Sequence, residues 1–479
     1  MPRHDKLDTM HASVSRRAIV QWLPEGLLLA IFLFFALRKL GTFPAVWTDD
    51  GLFMIVAKMV AQGHGYTLPI LSFNWPNPYI LAVGPTLILP VALAMKLGGF
   101  SVAVARLPMV GYLLATLVVS YLYVHSVFGR NAARWNAALL ISFSAFINTG
   151  KPVLGEIPGF FFLLLGFALL RLHRGWWPVV GAGISFGLAA VTKLPYALIF
   201  PVLGLTCLVV LFERKWDDVR RIIAITGTAA LVFLAGAYWL GAFETGYFRE
   251  IWLFALGGTG QADTRIYEPI FSRPTELFRM AYGHYVLVLL LAAIGWWKAR
   301  ERFGRIEHIS IALLALLFAA YFLNNAGWYR HLLPSTLLLF LFLPLGARIV
   351  LGHRAATLLL LVIVALQGLW QYQYKGSSPS TSGRDAAQEL MMHWQETTMI
   401  IKEPEVFFRL SENPHWLFFS EEMRDGSRRP PEIQKKMEET RCFPLLRRVS
   451  RDEFNFPSAD ATQVIGRYSL FPPPAGCPQ

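Results

Sequence analysis

The stretch PAVWTDDGLFMIVAKMVAQGHGYTLP, residues 44–69, places Asp49 and Asp50 side by side a few residues after a long hydrophobic segment. Adjacent carboxylates repel each other, and nothing obvious nearby in the sequence attracts them. A carboxylate pair in a partly desolvated cleft suits general-base chemistry or cation binding. The alternative is a solvated loop in which the pair has no chemical role. The apolar run behind the pair predicts an amphipathic helix at the edge of a membrane.

The composition around this stretch is that of a membrane protein. Of the 479 residues, 55% are hydrophobic and 16% are charged, and the mean hydropathy is +0.45. Apolar runs near the length of about 20 residues that spans a bilayer recur from residue 18 to residue 372. The first run is long and no small-residue cleavage site follows it, so we expect a first span and not a signal peptide.

The formal charge of +13 is unevenly distributed along the chain. After Tyr374 the chain holds 14 Lys and Arg against 15 Asp and Glu, which leaves an excess of +14 for the membrane part. This excess stands in short loops between apolar runs, where it indicates orientation in the membrane. We therefore expect membrane lipids, and no nucleic acid, among the partners.

Basic clusters set the predicted topology, because cytoplasmic loops are enriched in Lys and Arg. Residues 1–17 are polar and basic, so we expect a cytoplasmic amino terminus. Later clusters mark cytoplasmic turns near residues 130–134, 171–174, 214–221, 298–305 and 348–354. The chain crosses twice between successive clusters, which predicts eleven spans: 18–38, 104–126, 134–150, 157–171, 177–191, 195–212, 222–241, 283–298, 309–324, 332–347 and 355–372.

The segment 77–99 is apolar enough to count as a further crossing. If it crossed, every downstream basic cluster would lie outside, so we expect a helix packed at the outer membrane surface and interrupted by Pro85 and Pro90. The sequence also permits the crossing.

The predicted fold class is an all-α polytopic membrane protein with about eleven transmembrane helices, outer-surface juxtamembrane helices and a small C-terminal α/β extracytoplasmic domain. The predicted division is 1–17 (cytoplasmic amino terminus), 18–372 (membrane domain), 373–383 (linker) and 384–479 (C-terminal domain). In that last domain TTMIIKEPEVFFRL and HWLFFS indicate strands, and PPEIQKKMEETR indicates a helix. Cys442 and Cys477 either pair, if the domain lies in an oxidising compartment, or stay as free thiols.

Further charged residues fall in the outer loops of this topology. Glu156 stands at the start of a span, Lys193 in the next outer turn, and Arg330 and His331 in WYRHLLP. Each also has a structural interpretation: Glu156 as a favourable charge at a helix start, Lys193 as a lysine reaching the headgroups, Arg330 as a phospholipid anchor.

The long outer loop 242–282 carries arginines that suit a lid over a phosphate, because a guanidinium matches phosphate oxygens. These are Arg249, Arg265, Arg273 and Arg279. Contact with lipid headgroups is an equally good interpretation for any one of them.

A series of short motifs resembles the GT-C superfamily of integral-membrane glycosyltransferases, particularly its aminoarabinose transferase and protein O-mannosyltransferase branches. The motifs are WTDD with AKMVAQGHGY, NPY and GP ahead of KLGGFSVAVAR, LGEIPGFF, VTKLPYAL and RHLLP. Each is weak alone, and their order and spacing from residue 20 to about 350 match the superfamily.

The resemblance implies a polyprenyl-phosphate sugar as donor and assigns roles to residues. Asp49 corresponds to the base on the acceptor, Asp50 to a second carboxylate and Glu156 to the second acid of the family. Lys193 corresponds to the lysine near the donor phosphate, which Arg265, Arg330 and His331 are also expected to contact. This chain departs from the pattern with Asn77 and Pro78 where the aminoarabinose branch has Lys-Pro, and with Arg330 and His331 where a Tyr often stands.

The predicted function is an inverting glycosyltransferase on the outer face of the cytoplasmic membrane, with a lipid, glycan or protein acceptor. We expect no obligatory metal, although a divalent cation held by Asp49 and Glu156 is an alternative. The alternative function is a transporter or flippase of lipid-linked sugars. Transporters concentrate ionisable groups near the bilayer midplane, whereas here most span interiors are uncharged and Glu25 is the main exception.

Overall fold

The structure, a computed structural model, describes most of the chain. The described residues are 5–78, 83–172, 175–241, 243, 281–323, 329–374, 379–419, 431–448, 463–465 and 467–473. The four arginines of the predicted lid lie outside these ranges.

Helices dominate the amino-terminal half of the described chain. They are α1 (Asp5–Leu37), α2 (Thr48–Ala61), α3 (Pro85–Gly98), α4 (Val102–Phe128), α5 (Arg130–Ser142), α6 (Ser144–Gly150), α7 (Glu156–Leu172), α8 (Trp176–Thr192), α9 (Ile199–Phe212) and α10 (Trp216–Trp239). A hairpin of β1 (Thr67–Ile70) and β2 (Phe73–Pro76) separates α2 from α3, and a 3-10 turn (Leu194–Leu198) precedes α9.

The second half continues the helical membrane part and then changes to mixed structure. Its helices are α11 (Ala281–Ala299), α12 (Arg305–Leu323), α13 (Tyr329–Phe340), α14 (Leu343–Tyr372), α15 (Ser382–His393), α16 (Pro404–Phe407) and α17 (Pro431–Thr440). A 3-10 turn (Arg300–Arg302) links α11 to α12, and the strands are β3 (Met399–Ile401), β4 (Trp416–Phe418), β5 (Leu445–Arg448), β6 (Gln463–Ile465) and β7 (Tyr468–Phe471).

The chain is a multi-pass membrane protein. Five helices of the described residues are long and apolar enough to cross a bilayer: Val102–Phe128, Leu194–Phe212, Trp216–Trp239, Arg305–Phe322 and Leu343–Tyr372. Shorter apolar helices are Gln21–Leu37, Pro85–Gly98 and Trp176–Thr192. The figure of eleven spans stays a prediction.

Two predicted spans are organised differently in the structure. The predicted span 134–150 is interrupted at Phe143, whose extended backbone (φ −75°, ψ 106°) ends α5 before α6 begins. In the region of 332–372, α13 ends at Phe340, and the predicted turn at 348–354 is a kink within α14 at Gly352. Gly352 has φ +74° and ψ 174°, a conformation that favours glycine.

The segment predicted to lie on the outer surface contains α3, a single helix of 14 residues. At 1.5 Å per residue it is roughly 21 Å long, which is shorter than the roughly 30 Å of bilayer hydrocarbon. Pro85 stands at the helix start, where its missing N–H costs nothing. One face packs into the protein through Leu87 and Val91, and the opposite face, with Leu93 and Leu97, is exposed.

The C-terminal strands form one five-stranded mixed sheet in the order β4-β3-β5-β7-β6. β3 runs parallel to β4 and β5, whereas β7 is antiparallel to β5 and β6. The stretch that the sequence predicted as extended, EPEVFF, instead forms α16, because Pro404 takes the first helical position after the extended Glu403. Cys442 is disulfide-bonded, and Cys207 is free.

The C-terminal unit docks on α2 and the hairpin. The Leu71 N–H donates to the Phe418 carbonyl at 2.7 Å, and Lys58 Nζ donates to the Leu410 carbonyl at 2.9 Å. Phe408 and Phe418 share one hydrophobic core with the buried face of α2. The helix that begins with the two aspartates is therefore held between the membrane helices and the C-terminal sheet.

Candidate active site

Two acids open α2 on its first turn. Trp47 has an extended backbone (φ −124°, ψ 177°) and precedes the first helical residue, Thr48. Asp49 and Asp50 follow in the first turn. Carboxylates are favourable at this end because the helix dipole is positive there.

Asp50 is sealed inside the protein. Its Oδ2 lies 2.5 Å from Nη2 of Arg106, and both side chains are completely buried. Oδ1 accepts the Val153 N–H at 2.7 Å. Arg106 also donates to the carbonyls of Leu40 and Pro44 at 3.1 and 2.9 Å. This position does not fit the catalytic role predicted for Asp50, since a carboxylate that nothing reaches cannot take a proton from an acceptor.

Asp49 lies against a different guanidinium. Its Oδ2 is 2.5 Å from Nη1 of Arg330, and the Asp49 side chain is 22% exposed, compared with 9% for Arg330. The Arg330 guanidinium also stacks over the Trp47 ring, 4.8 Å from its centroid. Asp49 is thus held in place by one oxygen and remains accessible from outside.

Glu156 joins the same cluster from the start of α7. Its Oε1 lies 2.5 Å from Lys193 Nζ and 3.7 Å from Nε of Arg330. The Glu156 side chain is 4% exposed, and the buried Oε2 has no hydrogen-bond partner in the described part of the chain. The Tyr196 hydroxyl donates to the Glu156 carbonyl and fixes the turn of backbone that carries the acid.

Lys193 reaches this position because small residues surround it. It follows α8 with an extended backbone and pairs with Val83 in a β-bridge. A Cβ on Gly155 would lie 2.9 Å from Lys193 Cβ, and a Cβ on Gly84 would lie 2.1 Å from the Val191 carbonyl oxygen. The glycines of LGEIPG and of the GP motif therefore permit the close approach of three loops.

Two predicted site residues remain, His331 and Arg265. His331 follows Arg330 on α13, and its ring lies 5.4 Å from the Tyr321 ring, centroid to centroid. Arg265 lies outside the described residues. The structure thus brings Asp49, Glu156, Lys193 and Arg330 into one cluster, which we call the outer charge cluster.

Two residues that support the site, Arg106 and Tyr196, were not identified from the sequence. Arg106 stands within an apolar run, and an ionisable residue there is expensive unless it has a partner or a function. That signal was available, although the sequence alone could not have named Asp50 as the partner.

Across the described ranges, no group of three or more His, Cys, Asp or Glu side chains is arranged to hold a metal ion. Asp49 and Glu156 each use one oxygen on a basic side chain. The expectation of no obligatory metal, with a divalent cation at these two acids as the alternative, stays a prediction.

A cavity of about 410 Å³ borders the far end of α2, where the C-terminal unit packs on it. Lys58, Gln62 and His64 line one side, and Leu410 and Trp416 line the other. Burial lowers the pKa of Lys58, and the nearby Glu412 carboxylate opposes this shift.

Comparison with known proteins supports the resemblance seen in the sequence. Residues 97–248 match the family model of dolichyl-phosphate-mannose-protein mannosyltransferases. No curated protein matches the chain.

Solved structures match over nearly the whole chain. The apo crystal structure of ArnT from Cupriavidus metallidurans has a TM-score of 0.64 at 14% identity and covers 96% of this chain and 100% of its own. ArnT bound to undecaprenyl phosphate gives 0.62 at 14% identity, covering 95% and 99%. The oligosaccharyltransferase AglB from Archaeoglobus fulgidus, in complex with an inhibitory peptide and a dolichol-phosphate, gives 0.58 at 11% identity, covering 89% and 69%. The resemblance to the GT-C superfamily is therefore confirmed at the level of the fold.

Proposed function

We propose that this protein is an inverting glycosyltransferase that moves a sugar from a polyprenyl-phosphate donor to an acceptor on the outer face of the cytoplasmic membrane. The observation that carries the proposal is the outer charge cluster, in which four distant segments bring two carboxylates and two basic side chains together. Such a cluster supplies both requirements of sugar transfer: a base for the acceptor and cations for the leaving phosphate.

Lys193 and Arg330 are suited to the donor phosphate. Their side chains are 14% and 9% exposed, and partial burial strengthens their attraction for a developing negative charge. The similar fold of ArnT was solved with undecaprenyl phosphate and that of AglB with a dolichol-phosphate, which supports this class of donor.

Asp49 is suited to the acceptor because it is the more exposed of the two acids of the cluster. Its carboxylate takes the proton of the acceptor hydroxyl as the hydroxyl oxygen bonds to the anomeric carbon. The bond from that carbon to the phosphate oxygen breaks, and its electron pair leaves with the phosphate. Attack opposite to the leaving group inverts the anomeric configuration.

Glu156 has two roles, one toward Lys193 and one toward the sugar. One oxygen orients Lys193, and the buried Oε2 is left as an acceptor without a donor. A buried acceptor without a partner is costly, and a sugar hydroxyl would supply the missing hydrogen bond. Asp50 acts as a positioning residue that ties α2 to α4 through Arg106.

The first prediction concerns the base. Asp49→Asn keeps the shape and the contact with Arg330 but removes the proton acceptor, so we expect sugar transfer to fall by about 10² or more. The measurement is release of polyprenyl phosphate by the purified chain in nanodiscs with a polyprenyl-phosphate sugar and a membrane extract as acceptor source.

The matched control is Asp217→Asn, since Asp217 is 94% exposed and stands in a basic cluster predicted to be cytoplasmic. It should transfer sugar at the wild-type rate. Near-normal transfer by Asp49→Asn would remove the base assignment.

A further inference from the structure

A second cavity, of about 350 Å³, lies where the end of the first span, the start of α4 and the start of α15 meet. Its polar lining consists of hydroxyl, guanidinium and amide groups: Thr42, Ser101, Ser380, Arg384, Gln388 and Arg409. The linker is fixed there by a hydrogen bond of 2.9 Å from the Ser380 N–H to the Thr42 carbonyl.

The charged side chains that line this cavity are positive. Among the described residues of its lining, both charged ones are arginines. Arg409 is half-buried, and its Nη1 donates to the Glu405 carbonyl. Within the described ranges, no carboxylate lies within ion-pair distance of Arg409, and the Asp385 partner of Arg384 is 3.4 Å away and 53% exposed. Burial lowers the pKa of Arg409, and the nearby Glu405 and Asp50 carboxylates oppose this shift.

Two helix starts add to this positive character. α4 begins at Val102 with Ser101 as its N-cap, and α15 begins at Ser382, two residues after the lining Ser380. The N-terminal ends of helices carry free N–H groups and a partial positive charge, which favour anions. They reinforce the two arginines, which carry the main argument.

The surroundings of the cavity indicate which kind of molecule carries the anionic group. Leu89, Leu93 and Leu97 recur every four residues on α3 and are 44%, 59% and 79% exposed. Phe100 continues this apolar stripe with 44% exposure, and it also lines the cavity. An exposed apolar stripe on a juxtamembrane helix is a surface for lipid chains.

We propose that the cavity binds the phosphate head group of a membrane phospholipid, whose chains lie along the α3 stripe. The two guanidinium groups hold the phosphate oxygens by charge-assisted hydrogen bonds. This site is separate from the outer charge cluster, and it holds the C-terminal unit and the linker against the membrane surface.

The test is lipid binding by the full chain in detergent, without any sugar donor, so that its result is independent of the proposed function. The probe is dioctanoyl phosphatidic acid, and inorganic phosphate is titrated in parallel. We expect Arg384→Gln to weaken lipid binding about tenfold, the equivalent of about 1.4 kcal/mol. Arg384→Gln together with Arg409→Gln should abolish it. Arg384 is exposed, so the single variant should fold as the wild type does.

The matched control is Arg441→Gln, because Arg441 is an exposed arginine of the same C-terminal unit that does not line the cavity. It should bind the lipid with wild-type affinity. Undiminished lipid binding by Arg384→Gln would overturn the site. Binding of inorganic phosphate as tight as that of the lipid would overturn the assignment to a phospholipid.

Discussion

Neighbouring residues of the same type have opposite environments in this protein. Asp50 is enclosed with Arg106, and Asp49 contacts Arg330 at the protein surface. Nothing nearby in the sequence attracts the pair, yet in the structure each acid has its own guanidinium. The partners stand 56 and 281 residues away in the sequence, so they could not be predicted from the local pattern.

The second prediction concerns the buried pair. Arg106→Met removes the positive charge and leaves Asp50 buried and uncompensated, so we expect a loss of about 3–5 kcal/mol in the free energy of unfolding. The measurement is thermal or denaturant unfolding of the purified chain in detergent. Arg221→Met, at an exposed arginine on α10, is the control and should leave stability unchanged. An equal stability of both variants would contradict the structural role of Arg106.

At the scale of elements, α2 connects the membrane part to the C-terminal sheet. Helix positions in the membrane were largely predictable, because apolar length and basic loops follow from the bilayer itself. The break at Phe143 and the helix Pro404–Phe407 were not, since tertiary packing decides such short segments. The outer charge cluster was predictable in its members Asp49, Glu156, Lys193 and Arg330, but their pairing was not.

The third prediction concerns the contact between α2 and α16. A Cβ at Gly51 would lie 2.7 Å from Pro404 Cβ and 2.9 Å from the Pro404 carbonyl carbon. Because backbone must move, we expect Gly51→Ala to cost about 1–3 kcal/mol and to loosen the C-terminal unit. Hydrogen exchange of residues 399–418 measures the loosening.

Gly204→Ala provides the comparison, since a Cβ at Gly204 meets nothing within 4 Å in the interior of α9. It should be neutral or slightly stabilising. Unchanged exchange in Gly51→Ala would show that α2 and the C-terminal unit are not in close contact.

At the scale of the molecule, charged groups form two separate clusters, which the predicted topology places on opposite sides of the membrane. Glu25, the one acid that argued for transport, accepts from Arg130, Arg134 and Tyr121 at 2.7–3.0 Å. The two arginines belong to a basic cluster predicted to be cytoplasmic, so Glu25 acts as a structural link between α1 and α5. The outer charge cluster belongs to loops predicted on the other side.

The fourth prediction concerns this orientation. A cysteine introduced by Ser72→Cys, in the exposed turn of the hairpin, should react with a membrane-impermeant maleimide in intact cells. The exposed Arg221→Cys should react only after permeabilisation. Labelling of Ser72→Cys from the cytoplasmic side alone would contradict the proposed outer-face site.

The fifth prediction tests the central claim, that the outer charge cluster binds the donor phosphate. The measurement is the affinity of the purified chain for undecaprenyl phosphate, compared between wild type, Lys193→Ala and Lys298→Ala. Lys298 is an exposed lysine of a basic cluster predicted to be cytoplasmic. Because a charge-assisted contact to phosphate is lost, Lys193→Ala should bind about ten or more times more weakly, and Lys298→Ala should match the wild type. Equal affinity of Lys193→Ala and wild type would contradict the account.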